Sequence, residues 1–203
     1  MTTIEQELLE LMKERSFRRG EFRLASGDSS SYYIDGKMSE VCSRGAYLIG
    51  EVLYERTQEL ELDAIGGLET GAIPLTTAAC IAYHRRDREM EGFWVRDQVK
   101  DHGTQKKIEG NLRPGSRVVI VDDVVTRGSS VVKAAQAVRE IHCDVVLVLT
   151  LVDRLAGAAD LFREHGLQAY HPIFTIRDFG VDDAEAFRSS RLSAAEAARK
   201  QGR

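Results

Sequence analysis

RVVIVDDVVTRGSS, residues 117–130, decides how the rest of the chain is read. Val118, Val119, Ile120 and Val121 form an unbroken, β-branched apolar run. That is the pattern of a short strand buried on both faces of a parallel sheet. Asp122 and Asp123 follow at its C-terminal end, and Thr126-Arg127-Gly128-Ser129-Ser130 supplies hydroxyls, a glycine and the start of a helix. Val131, Ala135, Val138 and Ile141 or His142 recur at helical spacing and predict a helix over about 129–141. Backbone N–H groups at a helix start are unpaired and favour an anion. Gly128 lets the backbone approach that anion closely, and Thr126, Ser129 and Ser130 add hydroxyl donors. Paired carboxylates make no second phosphate ligand, but they accept the vicinal hydroxyls of a ribose. The stretch therefore reads as a cradle for a ribose 5′-phosphate at a strand end, where open α/β sheets hold their ligands. A buried strand with a polar exit and a helix cap would share parts of this pattern. The order of apolar run, acid pair and T-x-G-x-S separates the two readings.

The whole chain is compatible with such a site. Its 203 residues suffice for one α/β domain with a small appended element. A net charge of −4 and a pI of about 5.8 give no general nucleic-acid footprint. Cys42, Cys80 and Cys143 match neither a disulfide framework nor a zinc spacing and point to a reducing, cytoplasmic setting. The N-terminal MTTIEQELLE lacks the basic and apolar regions of a signal segment. No apolar run approaches the ~20 residues of a membrane span. Neither G-x-x-x-x-G-K-[ST] nor a strand-linked G-x-G-x-x-G is present.

Outward from the central stretch, strands alternate with helices. Amphipathic spacing predicts helices over 3–15, with Thr3 as N-cap, over 43–60, over 75–84 behind Pro74, and over 157–165. Strands are expected at 63–67, ending in glycines, at 91–95, at 144–152 and at 170–175. Phe22-Arg23-Leu24 and Tyr32-Tyr33-Ile34 read as short extended pieces outside that alternation. The expected architecture is a three-layer parallel α/β sheet carrying a small N-terminal cap, or hood, over its C-terminal edge. The expected organisation is a single domain over 1–203: cap to about 40, core over about 41–176, and an Ala-rich helical or frayed tail over about 182–203.

Four loops fall at strand ends: Gly67-Leu68-Glu69-Thr70-Gly71, 97–110, 122–130 and Asp153-Arg154. The second, DQVKDHGTQKKIEG, is polar and lacks an apolar period. It is long for an α/β connection, which usually runs ~2–6 residues. Arg96, Lys100, His102, Lys106 and Lys107 make it a basic lid that an anion would order. Such a lid places positive charge where a departing pyrophosphate gains negative charge, and His102 is a proton donor suited to it.

The central stretch resembles the phosphoribosyl pyrophosphate signature of the type I phosphoribosyltransferases. VRDQVKDHGTQKKIEG looks like the catalytic loop of the orotate phosphoribosyltransferases within that family, and GEFRLASGDSSSYYIDG, residues 20–36, resembles their cap. The likeness spans about Phe17 to Phe174, in the family's order. It implies that Asp122 and Asp123 hold the ribose hydroxyls. The signature Val124-Val125-Thr126-Arg127-Gly128-Ser129-Ser130, with Glu69, Thr70 and Gly71, would hold the remainder of phosphoribosyl pyrophosphate. Arg96, Lys100 and His102 would meet the pyrophosphate and, with Asp123, form the catalytic set. Tyr32, Tyr33, Thr126 and Arg154 would border the orotate, with Arg154 pairing its carboxylate. The resemblance also implies Mg²⁺ carried mainly on substrate oxygens, with no protein metal ligand of its own. It implies a homodimer whose lid is lent across subunits, and no membrane or nucleic-acid partner.

Three positions depart from the family's pattern. Ala25, Gly71 (in Glu69-Thr70-Gly71) and Asp97 stand where it often has cations, which shifts the expected load onto Mg²⁺, Lys100 and backbone N–H groups. Two alternatives stay open at this point: transfer to another base, and a non-catalytic regulator that senses phosphoribosyl pyrophosphate on the same fold.

Overall fold

The computed structural model describes residues 1–23, 29–98 and 106–182. The central strand β6 (Arg117–Val125) shows why its sequence is so apolar. Val118 and Ile120 face one core cluster, and Val119 and Val121 face another on the opposite side of the sheet. All four are fully buried, each contributing about 1.5–3 kcal/mol on removal from water. On one face lie α1 (Thr3–Arg15), α3 (Ser43–Thr57) and α4 (Ala72–His84), through Leu8, Met12, Val52, Leu75 and Ala79. On the other lie α5 (Ser129–Glu140) and α6 (Ala158–Glu164), through Val131, Ala135, Val138 and Phe162. These are the three expected layers.

The six-stranded sheet runs β5-β4-β3-β6-β7-β8, built with β3 (Ala64–Leu68), β4 (Glu91–Val95), β5 (Ile108–Gly110), β7 (Asp144–Asp153) and β8 (Tyr170–Thr175). All neighbours are parallel except β4 and β5. The expectation of a wholly parallel sheet is corrected at that edge. Residues 108–110 fold back antiparallel on β4, pairing Val95 with Ile108 and Trp94 with Glu109. The predicted 97–110 loop is therefore shorter by a three-residue strand, too brief for its apolar alternation to register.

The chain leaves β3 into a helix on one face and leaves β6 into a helix on the other. The boundary between these two strands is the sheet's topological switch point, where a crevice opens beyond the strand ends. The strand β3 is packed closely enough to need its glycines. A side chain on Gly66 would meet the Phe93 backbone and ring, and one on Gly67 the Val121 carbonyl. Both glycines lie inside the strand, so the loop after it begins at Glu69 rather than at Gly67.

The cap is an antiparallel pair, β1 (Phe17–Arg23) and β2 (Ser29–Ile34), longer than the sequence pattern indicated. Phe17 packs on Tyr32 across the pair and ties it to the body through Phe179 of a 3₁₀ turn over Ile176–Phe179. The N-cap of α1 is Thr2 rather than Thr3. Its hydroxyl accepts from Glu5 N while Glu5 reaches back to Thr2 N, a capping box. The third helix stops at Thr57, short of the predicted Leu60. A four-residue helix, α2 (Lys37–Glu40), follows the cap and has no counterpart in the sequence reading. The predicted tail lies outside the described residues from 183 onward.

Candidate active site

The strand β6 does not end before its acids. Pairing with β7 continues through Asp122 opposite Thr150 and Val125 opposite Asp153, so the carboxylates sit in the sheet's last turn of pairing. Both are about nine-tenths buried, at 8 % exposure each. They converge on the loop after β3. A side chain at Gly71 would begin against Asp123 Oδ1 and 2.7 Å from Asp122 Oδ1. Gly71 caps α4, so the acid pair faces the positive end of that helix. Burial and then the charge of Asp123 push the Asp122 carboxyl up to about 7, while its own oxygen accepts from Asp123 N at 3.2 Å.

The hydroxyl-rich turn follows directly. An open cavity of about 370 Å³ is lined by Asp122 and by residues 124–130. Gly128 has φ +82° and caps α5. A side chain there would also strike the Phe162 ring, so two independent constraints demand glycine. Thr126 and Arg127 are partly exposed, Ser129 is exposed and Ser130 half-buried along this rim. The Val125 side chain belongs to the core, which leaves it only a backbone role, and Val124 is half-buried. The first strand-end loop is joined to the start of the second through Glu69, whose side chain accepts from Asp97 N at 3.3 Å. Thr70 is exposed beside it, and the Glu69–Thr70 peptide is cis.

On the far side, Arg154 lies half-buried after β7. Its Nε donates to Tyr32 Oη at 3.3 Å, and its guanidinium carbon sits 5.0 Å from the Tyr32 ring centre. Tyr32 is fully buried, whereas Tyr33 is 45 % exposed and stacks toward Phe22. Strand alternation sends their side chains to opposite faces, so the structure brings only Tyr32 to Arg154.

The predicted lid is only partly in view. Lys100 and His102 lie outside the described residues. Arg96 is held by Glu109 across the β4–β5 pair, at 2.9 Å from Nε and 2.8 Å from Nη2. Lys107 is bonded to Glu140. Asp97, one of the departures from the family's pattern, is paired with Lys133 at 2.6 Å.

Sequence reasoning missed the residues of α2. Lys37 Nζ lies 3.4 Å from Asp123 Oδ2 and 3.2 Å from Asp35 Oδ1. Glu40, 2 % exposed, places its carboxyl under Gly36 and beside Asp123, and neither oxygen has a partner among the described residues. Burial, and then the Asp123 charge, push it up to about 8. A lysine and a glutamate three apart in a short polar stretch carry no periodic signal, so nothing in the sequence marked them.

Known proteins match this arrangement. The phosphoribosyl transferase domain family matches residues 46–162. An orotate phosphoribosyltransferase of Rhodopirellula baltica is 38 % identical over 86 % of this chain and 93 % of its own. One of Bradyrhizobium diazoefficiens is 45 % identical over 79 % and 88 %. The crystal structure of Mycobacterium tuberculosis orotate phosphoribosyltransferase in complex with 5-phospho-α-D-ribosyl 1-diphosphate superposes with a TM-score of 0.74, at 34 % identity over 87 % of this chain and 99 % of that one. With a buried acid pair and a glycine-capped hydroxyl loop at the switch point of a matching fold, the chain belongs to the orotate phosphoribosyltransferase family.

Proposed function

We propose that the protein transfers the 5-phosphoribosyl group of phosphoribosyl pyrophosphate to orotate, giving orotidine 5′-monophosphate and pyrophosphate in pyrimidine nucleotide synthesis. The observation that carries the reading is the convergence of Asp122, Asp123 and Gly71 beside the residue 124–130 cavity. The sugar's hydroxyls would donate to the acid pair, and its 5′-phosphate would accept from the backbone and hydroxyls of Thr126 to Ser130. Holding both ends of the sugar fixes the anomeric carbon between them, so attack by the base nitrogen becomes a positioning problem already solved. The half-buried Arg154 would pair with the orotate carboxylate against the Tyr32 ring.

Departure of pyrophosphate leaves positive charge on the sugar ring and negative charge on the leaving oxygens. We assign Lys100 and His102 to those oxygens, with Arg96 after release from Glu109. A buried, charge-repelling acid pair suits an approaching cation. That fits Mg²⁺ arriving on substrate oxygens, where it would neutralise leaving-group charge.

The finer assembly belongs to the same proposal. Cap and core would act as one domain, and two copies would associate, each lending its lid to the other. Exposed Val41, Tyr47 and Ile81 around an apolar groove between α3 and α4 support a face for that association. No helix among the described residues is long and apolar enough to cross a membrane. We place the reaction in the cytoplasm, where free thiols persist.

The test is to mix the protein with orotate, phosphoribosyl pyrophosphate and Mg²⁺ and follow orotate's ultraviolet absorbance. Loss that requires all three components and yields orotidine monophosphate is expected. No loss, with phosphoribosyl pyrophosphate still bound, would sink the assignment.

A further inference from the structure

Four groups form a hydrogen-bonded chain behind Arg154 that the proposed reaction does not use. Asp153, the last residue of β7, is 4 % exposed. Its Oδ2 accepts from Tyr170 Oη at 2.9 Å and its Oδ1 accepts from Leu155 N at 2.7 Å. Tyr170 Oη also lies 3.1 Å from Thr150 Oγ1. Tyr170 has one proton and gives it to Asp153, so Thr150 is the donor to Tyr170. The direction of the chain is thereby fixed: Thr150 to Tyr170 to Asp153, with Leu155 N closing on the same carboxylate.

Leu155 shows what this chain holds in place. Its φ is +57°, a left-handed conformation that a leucine does not adopt without compensation. The carboxylate of Asp153 compensates by capturing the Leu155 amide two residues on, an Asx turn. Arg154 is the residue spanned by that turn. Its own N–H is fixed on the other side by the Val125 carbonyl at 3.0 Å. With the backbone pinned before and after it, the Arg154 side chain leaves from a fixed point and runs over the Tyr32 ring. Its terminal nitrogens have no partner among the described residues, so they remain available to a planar, bidentate acceptor.

We propose that Asp153, oriented by Tyr170, is a positioning residue that aims Arg154 and thereby sets the enzyme's preference for a carboxylate-bearing pyrimidine. This rests on the assignment of Arg154 to the orotate carboxylate. Asp153 touches no substrate in this scheme. Its effect passes through the turn at Leu155, and the sugar-phosphate end of the site is built on other elements.

The test is steady-state kinetics with orotate and with uracil, which lacks the carboxylate, on the full-length protein and on Arg154→Ala, Asp153→Ala, Asp153→Asn and Tyr170→Phe. The expected result has three parts. Asp153→Ala raises KM for orotate ~10-fold or more, as for loss of a supporting contact, while KM for phosphoribosyl pyrophosphate stays within ~2-fold. The orotate-over-uracil preference falls in the same direction as in Arg154→Ala. Asp153→Asn, which keeps an acceptor for Leu155 N, recovers most of it. Should Asp153→Ala fail to fold, Asp153→Asn and Tyr170→Phe carry the comparison, with Tyr170→Phe showing the smaller shift of the same sign. Equal rises in both KM values, or an unchanged preference in the Asp153 variants beside a lost one in Arg154→Ala, would overturn the positioning role and leave the arginine's role standing. An unchanged preference in Arg154→Ala itself would overturn both.

Discussion

The Lys37 ammonium sits 3.4 Å from Asp123 Oδ2, reaching the acid pair of β6 from a four-residue helix behind the cap. It also bridges to Asp35, so one cation offsets two carboxylates. Burial works against its charge, and Asp123 and Asp35 outweigh that, leaving its pKa raised. The three positions where the family often has cations and this chain has none therefore do not leave the acid pair without a lysine.

Replacing Lys37 by alanine is expected to raise KM for phosphoribosyl pyrophosphate, since Asp123 would then face Asp122 unshielded. Half of the lysine side chain is exposed and water screens the pair, so the change should be modest, ~3–10-fold. Steady-state kinetics at two salt concentrations checks it. No change at low salt would show that Lys37 is a surface charge.

Asp122 and Asp123 are expected to act together on the ribose. The double Asn variant should stay folded by circular dichroism and lose phosphoribosyl pyrophosphate affinity by ~10²-fold, the scale of two charge-assisted hydrogen bonds. Calorimetric titration measures it directly, and full affinity would remove the ribose role. In the unmodified protein, affinity should rise between pH 6 and 8, because burial raises the Asp122 pKa and only the ionised form accepts both hydroxyls.

Glu40 gives a stability prediction with a definite sign. An unfolded glutamate ionises near its ordinary value of 4.5, while the folded one keeps its proton until about 8. Between those values the folded state binds more protons than the unfolded, so stability falls as pH rises through that window. Glu40→Gln abolishes the proton difference and should raise Tm at pH 7.5 by the equivalent of ~1–3 kcal/mol. At pH 4 the two proteins should melt together. A variant that melts lower at both pH values would mean that Glu40 is ionised and paired.

Gly128→Ala should damage both fold and site. The left-handed φ of +82° costs an alanine about 1–2 kcal/mol, and its methyl would press on the Phe162 ring. Chemical denaturation should show the loss, together with weaker binding of inorganic phosphate. Unaltered phosphate binding would place the anion away from this turn.

What the sequence made legible follows the range of the interactions involved. The strand β6 and the helix after it announced themselves because burial on both faces demands a run of β-branched residues, and a glycine followed by two serines starts a helix in one way. The acid pair was legible because it lies at the end of such an element, whereas Arg154 was marked only through the family resemblance, since an arginine after a strand is ordinarily a surface charge. The rest depends on contacts between distant segments. Lys37 and Glu40 reach Asp123 across more than eighty positions, and Asp153 meets Tyr170 from a separate strand. The strand β5 was hidden because three residues hold no period, and Tyr32 and Tyr33 looked alike until the strand turned one inward.

Phe162 is shared property. Its ring lies beneath Gly128 on one side and meets Tyr170 edge-on, at 4.7 Å between centres, on the other. The wall under the residue 126–130 turn is thus also the wall behind Tyr170. Under the proposed assignments, a change of shape at this one position would reach the sugar-phosphate end and the base end at once. Retuning the pocket for a different base through this wall would then disturb the grip on the donor.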